Sequence, residues 1–266
     1  FNKIIFMKKK QVIKHIVKWL TSYCEQSKMN GFVVGVSGGI DSAVTSTLCA
    51  LTGKKVIVIN MPILQHKTQF DLANEHIIWL KKRYTNVSSY EINLSDTFLQ
   101  FRKDFPKEMQ DDHSMANTRS RLRMLTLYTM STHNRMLVAG TGNKIEDFGV
   151  GFYTKYGDGG VDLSPIADLL KSEVYALAEE LGISPSIIDA PPIDGLWSDN
   201  RTDEEQIGAS YDEMEWAMRA IAKKTKKNKL TLDHKQIMEI FMGFNSINKH
   251  KMKPIPVCVI PDALKK

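Results

Sequence analysis

The chain has 266 residues, 42% of them hydrophobic, which is enough to bury the core of one large α/β domain. A formal charge of +6 suits an anionic substrate, and the absence of any apolar run of about 18 residues excludes a membrane span. Three cysteines are too few and too far apart for a metal site or a disulfide framework, so they indicate a reducing cytoplasm. We expect residues 1–266 to form one domain, with residues 1–6 as a candidate disordered extension.

The first predicted element is a helix over residues 10–24, which we interpret as scaffold beside the first strand. A strand, a glycine loop and a helix follow. The apolar residues after Gly31 are typical of a buried strand, Ser37 to Ser42 form a tight polar turn, and Ala43 to Leu51 have helical spacing.

The turn has the features of a phosphate-binding loop. Gly38 and Gly39 permit positive φ and close approach of the backbone, and the following helix directs free N–H groups at a ligand. Ser37 and Ser42 add hydroxyl donors. A carboxylate beside a phosphate requires a cation between them, so Asp41 suggests magnesium. For a bare glycine turn, a simple helix cap explains the same residues equally well.

Further strands and helices alternate along the chain. Lys55 to Asn60 is a second buried strand, residues 68–82 form a helix, and residues 86–92 form a third strand. This order predicts a doubly wound parallel sheet with helices on both faces, whose ligands bind at the carboxyl ends of the strands. The first loop falls at that edge.

A polar stretch from Asp104 to Asp112 is interpreted as a mobile surface loop, and a helix over residues 117–132 follows it. The helical period places Arg121 on a different face from Arg119 and Arg123, so one arginine has a distinct environment. Taken alone, the pattern favours an exposed basic helix with ion pairs.

Arg135 to Gly142 is another apolar strand that enters a glycine turn, and Thr141 lies at its end. Glu146 follows as a second carboxylate able to share a metal with Asp41. A carboxylate that faces the dipole of a helix start is the alternative.

The segment from Phe152 to Ser172 combines three glycines with aspartates and lysines, and is typical of a polar binding rim. Lys171 stands at a predicted helix start, where its charge opposes the dipole, and a nearby phosphate would relieve that repulsion.

The last third of the chain contains four further predicted elements. They are a helix from Glu173 to Leu181, a rigid loop from Ala190 to Trp197, a helix that opens at the Thr202 to Glu205 capping box and runs to about residue 222, and a helix over residues 233–243. The lysine run 223–229 has no interleaved aromatics, so we interpret it as a solvated linker rather than a nucleic-acid surface. A basic tail follows.

Several motifs resemble those of known enzymes. Ser37-Gly-Gly-Ile-Asp-Ser42 is similar to the pyrophosphate loop of the ATP pyrophosphatases, a group with an adenine nucleotide α-hydrolase-like fold. Asn117-x-x-x-Arg-x-Arg123 and Thr154-Lys-Tyr-Gly-Asp-Gly-x-x-Asp162 resemble elements of ammonia-dependent NAD synthetases. The resemblance extends in order from about residue 31 to residue 251.

The resemblance implies ATP-dependent amidation of deamido-NAD by ammonia through an adenylated intermediate, with Mg²⁺ held by Asp41 and Glu146 and catalysis assigned to Asp41 and Lys171. It implies a homodimer, with no nucleic-acid or membrane partner. The ATP site it implies comprises Gly35, Val36, Ser37, Gly38, Gly39, Ile40, Asp41, Ser42, Thr141 and Lys171. The deamido-NAD site it implies comprises Arg121, Lys155, Asp162, His250 and Lys251.

Two positions depart from the family pattern: Ile193 replaces a threonine near ATP, and Met252 stands where an arginine is common. A glutaminase domain has no room here, so free ammonia is the expected nitrogen donor. The alternatives are another ATP pyrophosphatase, such as the synthetase half of a GMP synthetase or a tRNA thiolase, and a nucleotide-binding regulator without chemistry. The three cysteines lie outside every motif, which disfavours a thiolase.

Overall fold

The computed structural model describes residues 7–197, 201–225 and 230–265. The expected extension at residues 1–6 and the end of the lysine run therefore lie outside the described residues. The strands are β1 (Gly31–Gly35), β2 (Lys55–Asn60), β3 (Val87–Glu91) and β4 (Leu137–Val138). The helices are α1 (Lys9–Gln26), α2 (Ile40–Leu51), α3 (Lys67–Arg83), α4 (Ser95–Lys103), α5 (Asp112–Asn134), α6 (Lys171–Leu181), α7 (Pro185–Ile188), α8 (Asp203–Ile207), α9 (Tyr211–Ala222) and α10 (Leu232–Met252).

The four strands form a parallel sheet in the order β3-β2-β1-β4. The chain builds outward from β1 to β3 and then returns to the other side of β1, so the strand order reverses between β1 and β4. A crevice opens at such a reversal, at the carboxyl ends of the strands. The fourth strand has only two residues, and a bridge from Ala139 to Leu163 continues its direction.

Helices cover both faces of the sheet, as the sequence predicts. Phe32 and Val34 of β1 pack in one cluster with residues of α1, α2, α3 and α6. Val33, the residue between them, belongs to a second cluster with Phe98 of α4 and Met115 of α5. Because alternate strand residues point to opposite faces, the apolar run of β1 is buried on both sides.

The region before α5 contains more helix than the sequence predicts, both before and within the expected surface loop from Asp104 to Asp112. Helix α4 was not predicted, because Phe98 is its one fully buried side chain and the apolar signal is weak. Helix α5 begins at Asp112, five residues earlier than expected, because the Asp111 side chain accepts a hydrogen bond from the Ser114 amide at 2.9 Å and caps it. A 3₁₀ turn occupies Lys107–Met109.

Two predicted helices in the last third have the wrong length. The helix expected from residue 202 to about residue 222 is interrupted at Gly208, where φ is +79°, and a second capping box of Ser210 and Glu213 starts α9. The last helix runs to Met252 rather than to residue 243, so the expected basic tail is its final turn.

A π-helix at Ile145–Val150 follows the glycine turn after β4. It packs in a third apolar cluster with α9 and α10, through residues that include Met214 and Phe241. This cluster anchors the segment that carries Glu146. Within the described residues, no helix is long and apolar enough to cross a membrane.

Candidate active site

A cavity of about 240 Å³ lies at the carboxyl ends of β1 and β4. Its wall is formed by the first glycine loop, the turn after β4, the π-helix and the start of α6. The predicted ATP-site and metal-site residues that line it are Gly35, Val36, Ser37, Gly39, Ile40, Asp41, Ser42, Thr141, Glu146 and Lys171. The fold therefore gathers at one edge residues that are far apart in the sequence.

Gly38 belongs to the predicted loop but has a packing role that requires no ligand. Its φ is +90°, and a Cβ atom there would lie 2.6 Å from the carbonyl oxygen of Gln69 in α3. Only glycine allows this backbone shape and this approach of α3. The close packing explains the glycine independently of phosphate binding.

The loop is held by its own serines. The Ser37 amide donates to Ser42 Oγ at 3.2 Å, and Ser42 Oγ donates to the Gly39 carbonyl at 2.8 Å. Helix α2 begins at Ile40, three residues earlier than expected, so Asp41 lies in its first turn, where the helix dipole favours a carboxylate. The loop is thus fixed without a bound nucleotide.

Lys171 joins the two predicted metal carboxylates. Its Nζ donates to Asp41 Oδ2 at 2.6 Å and to Glu146 Oε1 at 3.1 Å, and its side chain is only 3% exposed. The three groups come from the start of α2, the π-helix and the first residue of α6. A buried cation between two carboxylates is the centre of this site.

Burial and charge act in opposite directions on these groups. Burial raises the pKa of Asp41, and the Lys171 ammonium opposes that effect. Burial alone would lower the pKa of Lys171, but the carboxylates of Asp41 and Glu146 outweigh it and the pKa is raised. Lys171 is therefore a permanent cation at neutral pH.

Three residues that the sequence analysis missed complete this network. Tyr211 Oη donates to Glu146 Oε1 at 2.6 Å and lies 3.2 Å from Asp203 Oδ2, while Asn143 Nδ2 donates to Asp41 Oδ1 at 3.2 Å. The Ser210 to Glu213 capping box is readable in the sequence and would have placed a helix start at Tyr211. No sequence signal directs its side chain towards Glu146, 65 residues earlier.

Two further acids, Asp147 and Asp158, also line the cavity. Burial, followed by the charge of Glu146, raises the pKa of Asp147 to about 8. The Asp158 carboxylate accepts hydrogen bonds from Ser120 Oγ at 2.6 Å and from the Thr154 amide at 3.0 Å. The wall is therefore acidic around one fixed lysine.

Four of the five residues predicted to bind deamido-NAD lie together at the rim. Arg121 Nε donates to the Lys155 carbonyl at 3.3 Å, and Lys155 Nζ donates to the His250 carbonyl at 3.4 Å. Lys251 Nζ donates to the Tyr153 carbonyl at 2.6 Å. Helix α5, the glycine-rich segment and the end of α10 meet here.

Asp162, the fifth residue, has partners of its own. It accepts hydrogen bonds from the Val138 amide at 2.8 Å and from Tyr128 Oη at 3.0 Å. The carboxylate thus ties the end of β4 to Tyr128 of α5, about two helical turns after Arg121. The hydrogen bonds of the described residues do not link it to the other four.

The arginines of α5 are divided as the helical period predicts. Arg123 Nε donates to the Met61 carbonyl at 3.1 Å, and burial lowers the pKa of Arg123 to about 10. Arg119 donates to the carbonyl of Leu196. Arg121 is exposed on another face, so the interpretation of this segment as a uniformly exposed basic helix is wrong.

Ile193, the departure from the family threonine, lies in the cavity wall with its neighbours Pro192 and Asp194. Its carbonyl accepts a weak hydrogen bond from Gln69 Nε2 at 3.4 Å. The cavity wall therefore has an isoleucine at the position where the family resemblance predicts a threonine near ATP.

Comparisons with known proteins agree with this geometry. Residues 12–254 match the family model described as NAD synthase. An NH3-dependent NAD synthetase from Alkaliphilus metalliredigens is 35% identical over 252 residues, which cover 92% of this chain and 97% of the relative. One from Syntrophomonas wolfei is 32% identical over 266 residues, covering 97% of this chain and all of the relative.

Two solved structures resemble the whole chain. The NMN synthetase from Francisella tularensis superposes with a TM-score of 0.80 at 28% identity, covering 96% of this chain and 99% of that one. The NH3-dependent NAD synthetase from Campylobacter jejuni, in complex with a nitrate ion, gives 0.78 at 26% identity, covering 95% and 100%. The resemblance noted from the motifs is confirmed: this chain belongs to the NAD synthase family.

Proposed function

We propose that the protein makes NAD from deamido-NAD, ATP and ammonia and releases AMP and pyrophosphate. The observation that carries this proposal is the Lys171 ammonium bound to both Asp41 and Glu146 at the end of a serine-glycine loop. Relatives that span nearly the full length of this chain carry the name NH3-dependent NAD synthetase. ATP is the co-substrate of this family.

The reaction requires no protein base in its first step. The nicotinate carboxylate is already ionised at neutral pH, and its oxygen attacks the α-phosphorus of ATP as pyrophosphate leaves. Ammonia then attacks the acyl carbon of the adenylate and loses one proton to solvent, and AMP leaves with the former carboxylate oxygen. The protein must align these groups and neutralise phosphate charge, which the cation of Lys171 and the loop amides are placed to do.

The site fits a magnesium ion that arrives with ATP. Asp41 and Glu146 both lie within hydrogen-bonding distance of the Lys171 Nζ atom, so the two carboxylates are close enough to share an ion. Their side chains remain 17% and 16% exposed at the cavity wall. Magnesium on ATP commonly takes one or two protein carboxylates and several other oxygens from phosphate and water. Within the described residues no cluster of three or more potential metal ligands exists, which is consistent with an ion shared with the phosphates. When bound, the ion would neutralise phosphate charge.

The rim is proposed to bind deamido-NAD through Arg121, Lys155, Asp162, His250 and Lys251. The hydrogen bonds of Arg121 and Lys155 go to backbone carbonyls, so their charges are available to a phosphate. The family resemblance leads us to propose a homodimer, whose interface would cover exposed apolar residues such as Leu125, one helical turn after Arg121. We place the reaction in the cytoplasm, where the unpaired thiols of Cys24 and Cys49 would persist.

A second candidate substrate is the mononucleotide analogue, nicotinate mononucleotide. The observation in its favour is the NMN synthetase from Francisella tularensis, which superposes over 96% of this chain. Both substrates present the same carboxylate to ATP, so the cavity chemistry does not separate them. They differ in the AMP moiety, which only deamido-NAD contains. This moiety is large enough to require a binding surface beyond the cavity.

The test is AMP release by the purified protein with ATP, magnesium and ammonium, with each acid offered in turn. The proposal predicts AMP only in the presence of an acid substrate, with a higher kcat/KM for deamido-NAD than for the mononucleotide. A reversed preference would establish the second candidate. If ATP binds but neither acid yields AMP, the fold assignment stands and the acceptor belongs to another ATP pyrophosphatase reaction.

A further inference from the structure

Tyr211 is the first residue of α9, and its side chain reaches the network around Lys171. The residue is only 7% exposed, and its hydroxyl donates to Glu146 Oε1 at 2.6 Å. The Lys171 Nζ lies 4.6 Å from the centre of its ring, within the range of a cation–π contact. The Tyr211 side chain therefore contacts both Glu146, a predicted metal ligand, and Lys171, a predicted ATP-binding residue.

The direction of the hydrogen bond follows from the chemistry of the phenol. The phenol of Tyr211 has a single hydroxyl proton and a carboxylate oxygen accepts, so the phenol donates to Glu146. The shorter of its two contacts is to Glu146, and the contact to Asp203 Oδ2 is 3.2 Å. The other oxygen of Asp203 is buried without a hydrogen-bond partner among the described residues. The phenol is therefore the donor that orients the Glu146 carboxylate.

The backbone of Tyr211 is held firmly. Its amide donates to Glu204 Oε1 at 2.7 Å, and the Ser210 and Glu213 side chains cap the same helix end. Met214, one turn later, is fully buried in the cluster that also contains Ile145 of the π-helix. Because α9 and the π-helix share this core, the distance between Tyr211 and Glu146 is set by the fold.

We propose that Tyr211 is a positioning residue for the adenylation step, which fixes the Glu146 carboxylate and the Lys171 ammonium relative to each other. The hydroxyl and the Lys171 ammonium donate to the same oxygen, Glu146 Oε1, so together they hold one edge of the carboxylate. Without that hydroxyl only Lys171 holds this oxygen, so the carboxylate is free to rotate and becomes a poorer ligand for a magnesium ion on ATP. This inference rests on the proposed function, because that function assigns the roles of Glu146 and Lys171.

The test variant is Tyr211→Phe, which removes the hydroxyl and keeps the ring beside Lys171. Loss of one hydrogen bond to a charged group predicts a fall in kcat of about tenfold or more, with KM for deamido-NAD unchanged. In calorimetric titrations, affinity for ATP with magnesium should fall by about the same factor, whereas affinity for ATP with EDTA should not change. Tyr84→Phe, a half-buried tyrosine at the end of α3, is the matched control and should behave as wild type.

The outcomes separate this inference from the proposed function. Wild-type kcat and magnesium-dependent binding in Tyr211→Phe would overturn it, and so would equal weakening with and without magnesium, which indicates a merely structural role. Failure of the wild-type protein to form AMP would remove the proposed function. The calorimetric comparison would still measure the effect of Tyr211 on magnesium-dependent ATP binding. If Tyr211→Phe does not fold, Glu204→Ala removes the acceptor of the Tyr211 amide and keeps the hydroxyl. Any loss of ATP affinity in that variant must then depend on magnesium.

Discussion

The cavity and the rim of the active site are built in opposite ways. In the cavity, Lys171 is 3% exposed and its charge is already balanced by two carboxylates. At the rim, Arg121 is exposed and Lys155 is half-buried, and both donate hydrogen bonds to backbone carbonyls. The cavity is therefore complete before a substrate arrives, whereas the charges of the rim are available for one.

This difference predicts different responses to mutation. A change in the cavity disturbs a buried network, so it should act on the chemical step and on stability. A change at the rim removes one solvent-facing charge, so it should act on substrate affinity and leave the fold intact. The following variants test the contrast, from the largest expected effect to the smallest.

Asp41→Asn should have the largest effect. It removes the charge of one of the two carboxylates, Asp41 and Glu146, that are proposed to hold magnesium, and it keeps the shape of the side chain. We expect turnover to fall by about 1000-fold, the upper range for one preorganised electrostatic group. The amide can still accept a hydrogen bond from Lys171, so far-UV circular dichroism should be unchanged. Retained activity in a folded variant would remove the argument for a metal bridge between Asp41 and Glu146.

Arg121→Ala should act on one substrate only. Loss of a charge-assisted contact predicts a rise in KM for deamido-NAD of about 10- to 100-fold, with KM for ATP and the melting temperature unchanged. Arg102→Ala, an exposed arginine of α4 bonded to Gln110, is the matched control. If both variants raise KM equally, the effect is general electrostatic attraction and the assignment of Arg121 is wrong.

The pH dependence of the unfolding free energy tests the effect of burial at His76, in the core between α2 and α3. His76 lies beneath α2, with Nε2 2.9 Å from Ser46 Oγ, and burial lowers its pKa from 6.5 to about 4. Between these values the unfolded chain binds a proton that the folded chain does not, so stability falls as the pH drops. From pH 7 to pH 5 this imidazole should remove about 2 kcal/mol of unfolding free energy.

The measurement for this prediction is urea denaturation of wild type and His76→Gln at both pH values. The variant should lose about 2 kcal/mol less than wild type over the interval. His133→Gln, an exposed position near the end of α5, should lose the same amount as wild type. Parallel pH profiles for His76→Gln and wild type would show that His76 does not titrate as its burial requires.

Ile193→Thr should have the smallest effect. It restores a hydroxyl at the cavity wall, and one neutral hydrogen bond predicts a decrease in KM for ATP of roughly threefold. Ile193→Val changes the shape similarly without a hydroxyl and serves as the control. An increase in KM with threonine would indicate that this wall favours an apolar contact with the nucleotide.

Much of the fold was predictable because local patterns determine it. The apolar run at Val33 and the glycines after it specify a buried strand and a tight turn, and the alternation of strands with helices specifies the sheet. The turn residues also place Asp41 at the ligand edge. Helix α4 was missed since one buried side chain, Phe98, gives too weak a periodic signal.

The remainder depended on contacts between distant segments. Lys171 reaches Asp41 across 130 residues and Tyr211 reaches Glu146 across 65, and neither spacing leaves a local pattern. The motifs indicated Lys171 through the family resemblance. Tyr211 belongs to no motif, and its role follows from the packing of α9 on the π-helix.

The most direct test of the account is the fate of the carboxylate oxygens. Deamido-NAD labelled with ¹⁸O in its nicotinate carboxylate would be converted with ATP, magnesium and ammonium, and the released AMP analysed by mass spectrometry. Attack of the carboxylate on the α-phosphorus predicts one ¹⁸O atom in each AMP, with none in pyrophosphate. AMP without label would contradict the account, because the cavity around Lys171 would then activate the substrate by another route.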